Sequence, residues 1–249
     1  MLLIILLEAP AAGQTDSALH VRAYASAHRT EIPTLVVVLH GDSPFRNPGY
    51  QYALAQQIAA RNENVVAVGL LRPGYTDADG NQSPGVRGAT TGDNYTADVV
   101  TAVASRIRQL QRQYRAGRTV VVGHSGGAAI TAVLLGRYPA VADAAVLVAC
   151  PCNVPAWRTY MADKQGYAGW RTPVNSLNPM DYTKGVRARV SVVVGEADDV
   201  APIRFSEEYY RRLIARHVPA TLTRVPGAGH DIFLTNVVQE AVRAAVVAR

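Results

Sequence analysis

Short β-branched runs alternate along the chain with longer amphipathic stretches. The run 34–41 (TLVVVLHG) is almost continuously apolar, as a strand covered on both faces should be. The same pattern predicts strands over 64–71, 119–122, 144–150, 188–195 and 220–225. Helices are predicted over 47–61, from the glycines after residue 122 through Leu135, over 203–217 and over 231–248. The clearest is 96–114, where Val99, Val103, Ile107 and Leu110 recur at helical spacing and give one apolar face. Strand–helix alternation of this kind predicts a parallel sheet with helices on both faces. Right-handed crossovers then gather the loops after the strands at one edge, where ligands bind in open α/β sheets.

Two segments fall outside this rhythm. The stretch 72–85 (RPGYTDADGNQSPG) reads as a loop. Within it Asp77, Asp79, Gly80 and Asn81 suggest either a local hydrogen-bonded turn or, less simply, a calcium loop without its later ligands. The stretch 151–186 has no strong period and carries Trp157, Tyr160, Tyr167, Trp170 and Tyr182. It reads as a small insertion with short helices over the sheet edge, within one domain spanning 18–249.

Composition removes some function classes. The 249 residues carry a net charge of +6, from 25 basic and 19 acidic side chains. The basic residues are scattered, which argues against a nucleic-acid face. No apolar run reaches the ~18 residues of a membrane span. Leu2–Leu7 resemble the apolar stretch of an export signal that has lost its start, with a first β-strand as the competing reading of residues 1–17. On the first reading the protein is exported, on the second it is cytoplasmic. Cys150 and Cys152, only two residues apart with Pro151 between them, are expected to be small, partly buried and unpaired, with a disulfide between them as the less favoured reading if the protein is exported. Two thiols are too few for structural zinc.

The chemistry centres on 120–130 (VVVGHSGGAAI). Gly123, Ser125 and Gly127 fit G-x-S-x-G, with a β-run before and a helix-compatible stretch after. In that context the serine sits on a sharp strand-to-helix turn, and glycines two residues either side remove clashing Cβ atoms. A serine hydroxyl needs a base and a group to orient that base. Two later strand ends supply candidates: Asp198 or Asp199 in GEADDVAP, and His230 in GAGHD. His124 is expected to be packed, and His40 to support its own loop. His20, His28 and His217 are given no role, and Asp231 is too close to His230 in sequence to orient it. Gly126, at the start of the helix, offers an unpaired N–H to a developing oxyanion.

With LHGDSP, RPGY, GHSGGA, GEADDVAP and GAGHD in this order, the chain from about residue 34 onward resembles the α/β-hydrolases. The resemblance implies the fold, with a minimal cap, and a Ser125–Asp198–His230 triad. Asp198 is selected over Asp199 by its place between Gly195 and Pro202. The resemblance also implies Asp42 as the second oxyanion donor, with Ser43 as the alternative. It implies no metal or organic cofactor. The expected activity is hydrolysis of small or polymeric carboxylic esters through an acyl-enzyme on Ser125. A peptidase or amidase on the same residues is the alternative, and a non-catalytic binding protein on the same scaffold is less favoured.

Overall fold

The computed structural model describes residues 18–248. The proposed export segment at 1–17 lies outside them. Among the described residues seven strands form one sheet: β1 (Val21–Ala25), β2 (Thr34–Leu39), β3 (Val65–Leu70), β4 (Arg118–His124), β5 (Ala144–Val148), β6 (Arg189–Gly195) and β7 (Ala220–Val225). Their order across the sheet is β1-β3-β2-β4-β5-β6-β7, and every pair is parallel except β1 with β3. This is the mostly parallel sheet expected of an α/β-hydrolase. Strand β1 escapes the hydrophobic pattern because it is a half-buried edge strand carrying Arg22 and Tyr24.

The described residues form six α-helices: α1 (Tyr50–Arg61), α2 (Ala97–Tyr114), α3 (Gly126–Arg137), α4 (Val154–Gln165), α5 (Ile203–Ile214) and α6 (Asn236–Val247). Alternate strand residues feed two cores. Leu35, Val37, Leu39 and Val121 pack with Val103, Ile107 and Leu110 of α2, with α3, and with Tyr209 and Leu213 of α5. Val36, Val38, Val120 and Val122 pack with Leu54 and Ile58 of α1 and with Val238 and Val242 of α6. The period of two in the strands thus serves both faces at once. Helix α2 begins as its sequence requires, with the Thr96 hydroxyl accepting the Val99 N–H at 3.4 Å. Two helices start later than the pattern suggests. Pro48 holds the chain before α1 out of helix, and the turn 231–235 buries Ile232 and Phe233 before α6 begins.

The stretch 151–186 folds as α4 followed by 3-10 turns at Ala168–Arg171 and Pro179–Gly185. Asn153 caps α4 by accepting the Ala156 N–H, and Gly166 ends it at φ +65°. Trp157 is buried and donates its indole N–H to the Val200 carbonyl at 2.7 Å, which ties α4 to the loop after β6. Cys150 and Cys152 form a disulfide, with Cα atoms 5.0 Å apart, which corrects the expectation of free thiols. The chain leaves β5 through Ala149 at φ +50°. The loop after β3 takes the turn reading. Asp77 is fully buried and accepts from Arg22, from the side-chain amide of Asn81 and from the backbone N–H groups of Asp79 and Asn81. Those donors occupy the carboxylate oxygens that a cation would use. Among the described residues no helix is long and apolar enough to cross a membrane.

The second 3-10 turn packs directly against α3. A Cβ at Gly136 would run into the Tyr182 carbonyl, and one at Gly185 into the Gly136 carbonyl. Both obstacles are backbone, so relief requires moving one element off the other. Gly136→Ala is expected to destabilise the protein by about 1–3 kcal/mol, read as a lower urea midpoint with an unchanged slope. An unchanged midpoint would mean that α3 and the turn are not held this closely.

Candidate active site

The sheet order reverses between β2 and β4. The chain continues from β2 to β3 on one side, and from β4 through β5, β6 and β7 on the other. Loops leaving two such strands part in opposite directions and open a crevice at the strand ends. Here α1 lies on one face and α3 on the other, and the Gly41-Asp42 loop meets Ser125 at these strand ends, where an ideal Gly41 Cβ would lie 2.9 Å from Ser125 Cβ.

Ser125 occupies φ +51°, ψ −120° between the last residue of β4 and the first of α3. A non-glycine residue there is strained, and such strain is held only where the surroundings over-determine it. Three constraints do so. The Ser125 N–H donates to the Val148 carbonyl at 2.8 Å, and its carbonyl accepts from Ala128 and Ala129 in the first turn of α3. A Cβ at Gly123 would lie 2.5 Å from the Gly127 carbonyl oxygen, and one at Gly127 would strike the His40 carbonyl. The glycines of the motif therefore let the start of α3 press against the ends of β4 and β2.

The acid and the base meet through the loops after β6 and β7. Those loops are joined by an Ala197 N–H to Ala228 carbonyl bond of 2.9 Å. The Asp198 carboxylate is buried. One oxygen accepts from the Val200 and Ala201 N–H groups at 2.9 and 2.8 Å, and the other lies 2.8 Å from His230 Nδ1. Asp199 points outward to Lys164, at 2.6 Å. The His230 ring lies 5.0 Å from that of His124, the neighbour of Ser125. Among the described residues no hydrogen bond joins Ser125 Oγ to His230. Contacts of this kind often close only when substrate is bound.

The Asp42 carboxylate is almost wholly buried and taken up by three donors. It accepts from Arg72 Nη1 at 2.8 Å, the Tyr95 hydroxyl at 2.6 Å and the Gly92 N–H at 2.8 Å. Arg72 is fully buried, and its guanidinium lies 5.1 Å from the Tyr75 ring centre. Gly126 is required beside this group, because a Cβ there would meet Asp42 Oδ1. Neither the Gly126 nor the Asp42 backbone N–H has a protein acceptor among the described residues. The Ser43 hydroxyl turns to the Arg46 carbonyl instead.

The histidines separate clearly. His40 is fully buried: Nδ1–H donates to the Gly41 carbonyl at 2.7 Å, and Nε2 accepts the Arg72 N–H at 3.1 Å. Burial, reinforced by Arg72, keeps its pKa well below the ordinary range. His124 is likewise buried. Its Nδ1 lies 3.0 Å from the Tyr50 hydroxyl and its Nε2 lies 3.2 Å from the His230 carbonyl. Burial first, and His230 second, push its pKa down to about 3. His20 approaches Asp77 at 3.6 Å. Sequence reasoning missed Arg72, Tyr95 and Tyr50. The Arg72 of RPGY marks a buried cation facing the carboxylate of HGD, but nothing in their spacing pairs them.

The model of the prolyl oligopeptidase family matches residues 87–247, a span holding Ser125, Asp198 and His230. The chain belongs to the prolyl oligopeptidase family. It is 23% identical over 239 residues to the acylamino-acid-releasing enzyme of Sus scrofa, covering 89% of this chain and 31% of that one. It thus spans about a third of that relative. Two solved structures share the fold. Ferulic-acid-bound Est1E of Butyrivibrio proteoclasticus has a TM-score of 0.68 at 15% identity, covering 90% of this chain and 92% of that one. The acylaminoacyl peptidase of Pyrococcus horikoshii has a TM-score of 0.65 at 14% identity, covering 92% of this chain and 39% of that one. This member of the prolyl oligopeptidase family has the α/β-hydrolase fold.

His124 makes stability depend on pH. Its folded pKa of about 3 lies below the usual 6.5, so between those values the unfolded chain binds a proton that the folded one refuses. Stability is therefore full above pH 6.5 and falls as the pH drops toward 3. His124 alone accounts for a loss of about 2 kcal/mol at pH 5, and His40 acts in the same direction. The urea midpoint should fall between pH 7 and pH 5, and His124→Gln should make that fall shallower. An equally steep fall in the variant would contradict a neutral buried His124.

Proposed function

We propose that the protein hydrolyses carboxylic esters through an acyl-enzyme on Ser125. His230 takes the hydroxyl proton as Ser125 Oγ attacks the acyl carbon, and the tetrahedral oxyanion is held by the Gly126 and Asp42 N–H groups. As the bond to the leaving alkoxide breaks, His230 returns the proton to it. Water, deprotonated by His230, then attacks the acyl-enzyme, the acid departs and Ser125 recovers its proton. Asp198 holds the ring with Nδ1 protonated and stabilises the imidazolium. The reading is supported by the strained backbone of Ser125 beside two N–H groups without a protein acceptor, and by the Asp198–His230 pair, whose imidazole lies 5.0 Å from the ring of His124, the neighbour of Ser125.

Ester chemistry is favoured over release of a free amino-terminal residue. Such a peptidase needs a carboxylate for the substrate's ammonium group. Asp42, Asp198 and Asp199 are all engaged, with Arg72, His230 and Lys164 respectively. The likeness to an acylamino-acid-releasing enzyme favours a second reading, in which the scissile bond follows an acylated residue that carries no charge to match. Rates on p-nitrophenyl butyrate, N-acetylalanyl p-nitroanilide and alanyl p-nitroanilide separate these readings. The first substrate should be turned over best and the third least. A preference for the second would move the assignment to acylaminoacyl peptides.

Ser125→Ala should lower kcat/KM on the preferred ester by about four orders of magnitude or more, with an unchanged circular dichroism spectrum. Undiminished turnover would remove the proposal. The two adjacent acids make a sharper comparison. Asp198→Asn should lower kcat by about 10³–10⁴-fold, while Asp199→Ala, which breaks only an exposed ion pair, should stay within about twofold of the parent. The reverse ranking would assign the orienting role to Asp199.

A further inference from the structure

Four groups distant in sequence form one hydrogen-bonded chain beneath the crevice. The Gly41 N–H donates to the Tyr50 hydroxyl at 2.5 Å. That hydroxyl donates to His124 Nδ1 at 3.0 Å, and His124 Nε2–H donates to the His230 carbonyl at 3.2 Å. Every donor points the same way, so each bond polarises the next. The direction follows from the end members: a backbone N–H can only donate and a carbonyl can only accept. A neutral His124 protonated on Nε2 is the one form that fits both ends, and its burial supports that form.

Packing fixes the chain in place. The Phe233 ring stacks on His124 at 4.9 Å and 30°, and Tyr50 meets both rings edge-on at 5.5 Å. Tyr50 is the first residue of α1, His124 the last of β4, and Phe233 belongs to the turn after His230. The cluster therefore clamps three elements at one point. Its two ends are the residue before Asp42 and the backbone of His230.

We infer that Tyr50 and His124 are positioning residues, joining the oxyanion loop at Gly41 to the base at His230 and setting both against Ser125. The inference rests on the reading of His230 as general base and of the Asp42 N–H as oxyanion donor. Neither side chain need touch substrate. What they fix are two groups whose alignment matters chiefly in the transition state, so their loss should lower kcat and spare KM. A role confined to core stability would instead lower the fraction of folded protein and leave the rate per active site unchanged.

A double-mutant cycle tests this, using Tyr50→Phe and His124→Phe, with p-nitrophenyl butyrate as substrate and rates normalised to titrated active sites. Each single variant should lose about 5–30-fold in kcat, as expected for removing one or two hydrogen bonds, with KM within about twofold. Because both act through one chain, the double variant should be no more than about threefold worse than the poorer single variant. His124→Gln, which keeps an amide donor near Nε2, should recover most of the loss, and if His124→Phe does not fold, His124→Leu takes its place in the cycle. Unchanged kcat in Tyr50→Phe, or losses that multiply in the double variant, would overturn the inference. Ser125→Ala run alongside separates the two levels. If it is inactive while the cycle is multiplicative, only the positioning chain fails; if it retains turnover, the underlying catalytic reading fails as well.

Discussion

The close approach of three backbones, at the ends of β2 and β4 and at the start of α3, is the constraint on which the site depends. It holds Ser125 at φ +51°. It is possible because Gly123 and Gly127 place no Cβ where main-chain atoms already lie. It also has a chemical consequence. The first N–H of α3 is left without an intrahelical partner beside the serine, and the Gly41-Asp42 loop is brought against it, with an ideal Gly41 Cβ only 2.9 Å from Ser125 Cβ. A strained serine and a free helix N–H beside it thus arise from one packing arrangement. The strain at Ser125 is sustained by the sheet and helix on either side.

That packing creates an electrostatic problem, because it sets the Asp42 carboxylate against the same helix start. The protein answers with Arg72, Tyr95 and the Gly92 N–H, which together take up the charge on the far side of Asp42. A buried pair of this type gives little net stability, since desolvation offsets most of the attraction. Its effect here is on position: Arg72 and two donors from the 92–95 loop fix the carboxylate. Gly92 in turn lies against the Trp157 ring, so the oxyanion loop is braced by the first helix of the 151–186 stretch.

What the sequence discloses tracks how local each cause is. The five apolar runs from β2 to β6 are visible because strands buried on both faces must be apolar throughout. The elbow is visible because its glycines and serine lie within five residues. The choice of Asp198 over Asp199 is not local. It came from resemblance, and the structure gives its physical basis in the two N–H groups of Val200 and Ala201 that turn Asp198 inward. Strand β1 was missed because an edge strand can carry Arg22. The Asp42–Arg72 pair was missed because its members lie thirty residues apart and meet only after β3 has crossed to its place. The disulfide was the less favoured reading because cysteines two residues apart rarely reach the required geometry, whereas here their Cα atoms lie 5.0 Å apart.

The central claim is that the fold makes one particular hydroxyl nucleophilic. A fluorophosphonate probe followed by peptide mass spectrometry reads this without assuming any substrate. The account predicts a single covalent adduct on the peptide containing Ser125, formed in the native protein and absent after denaturation. Labelling at another residue, or none in folded protein, would contradict it.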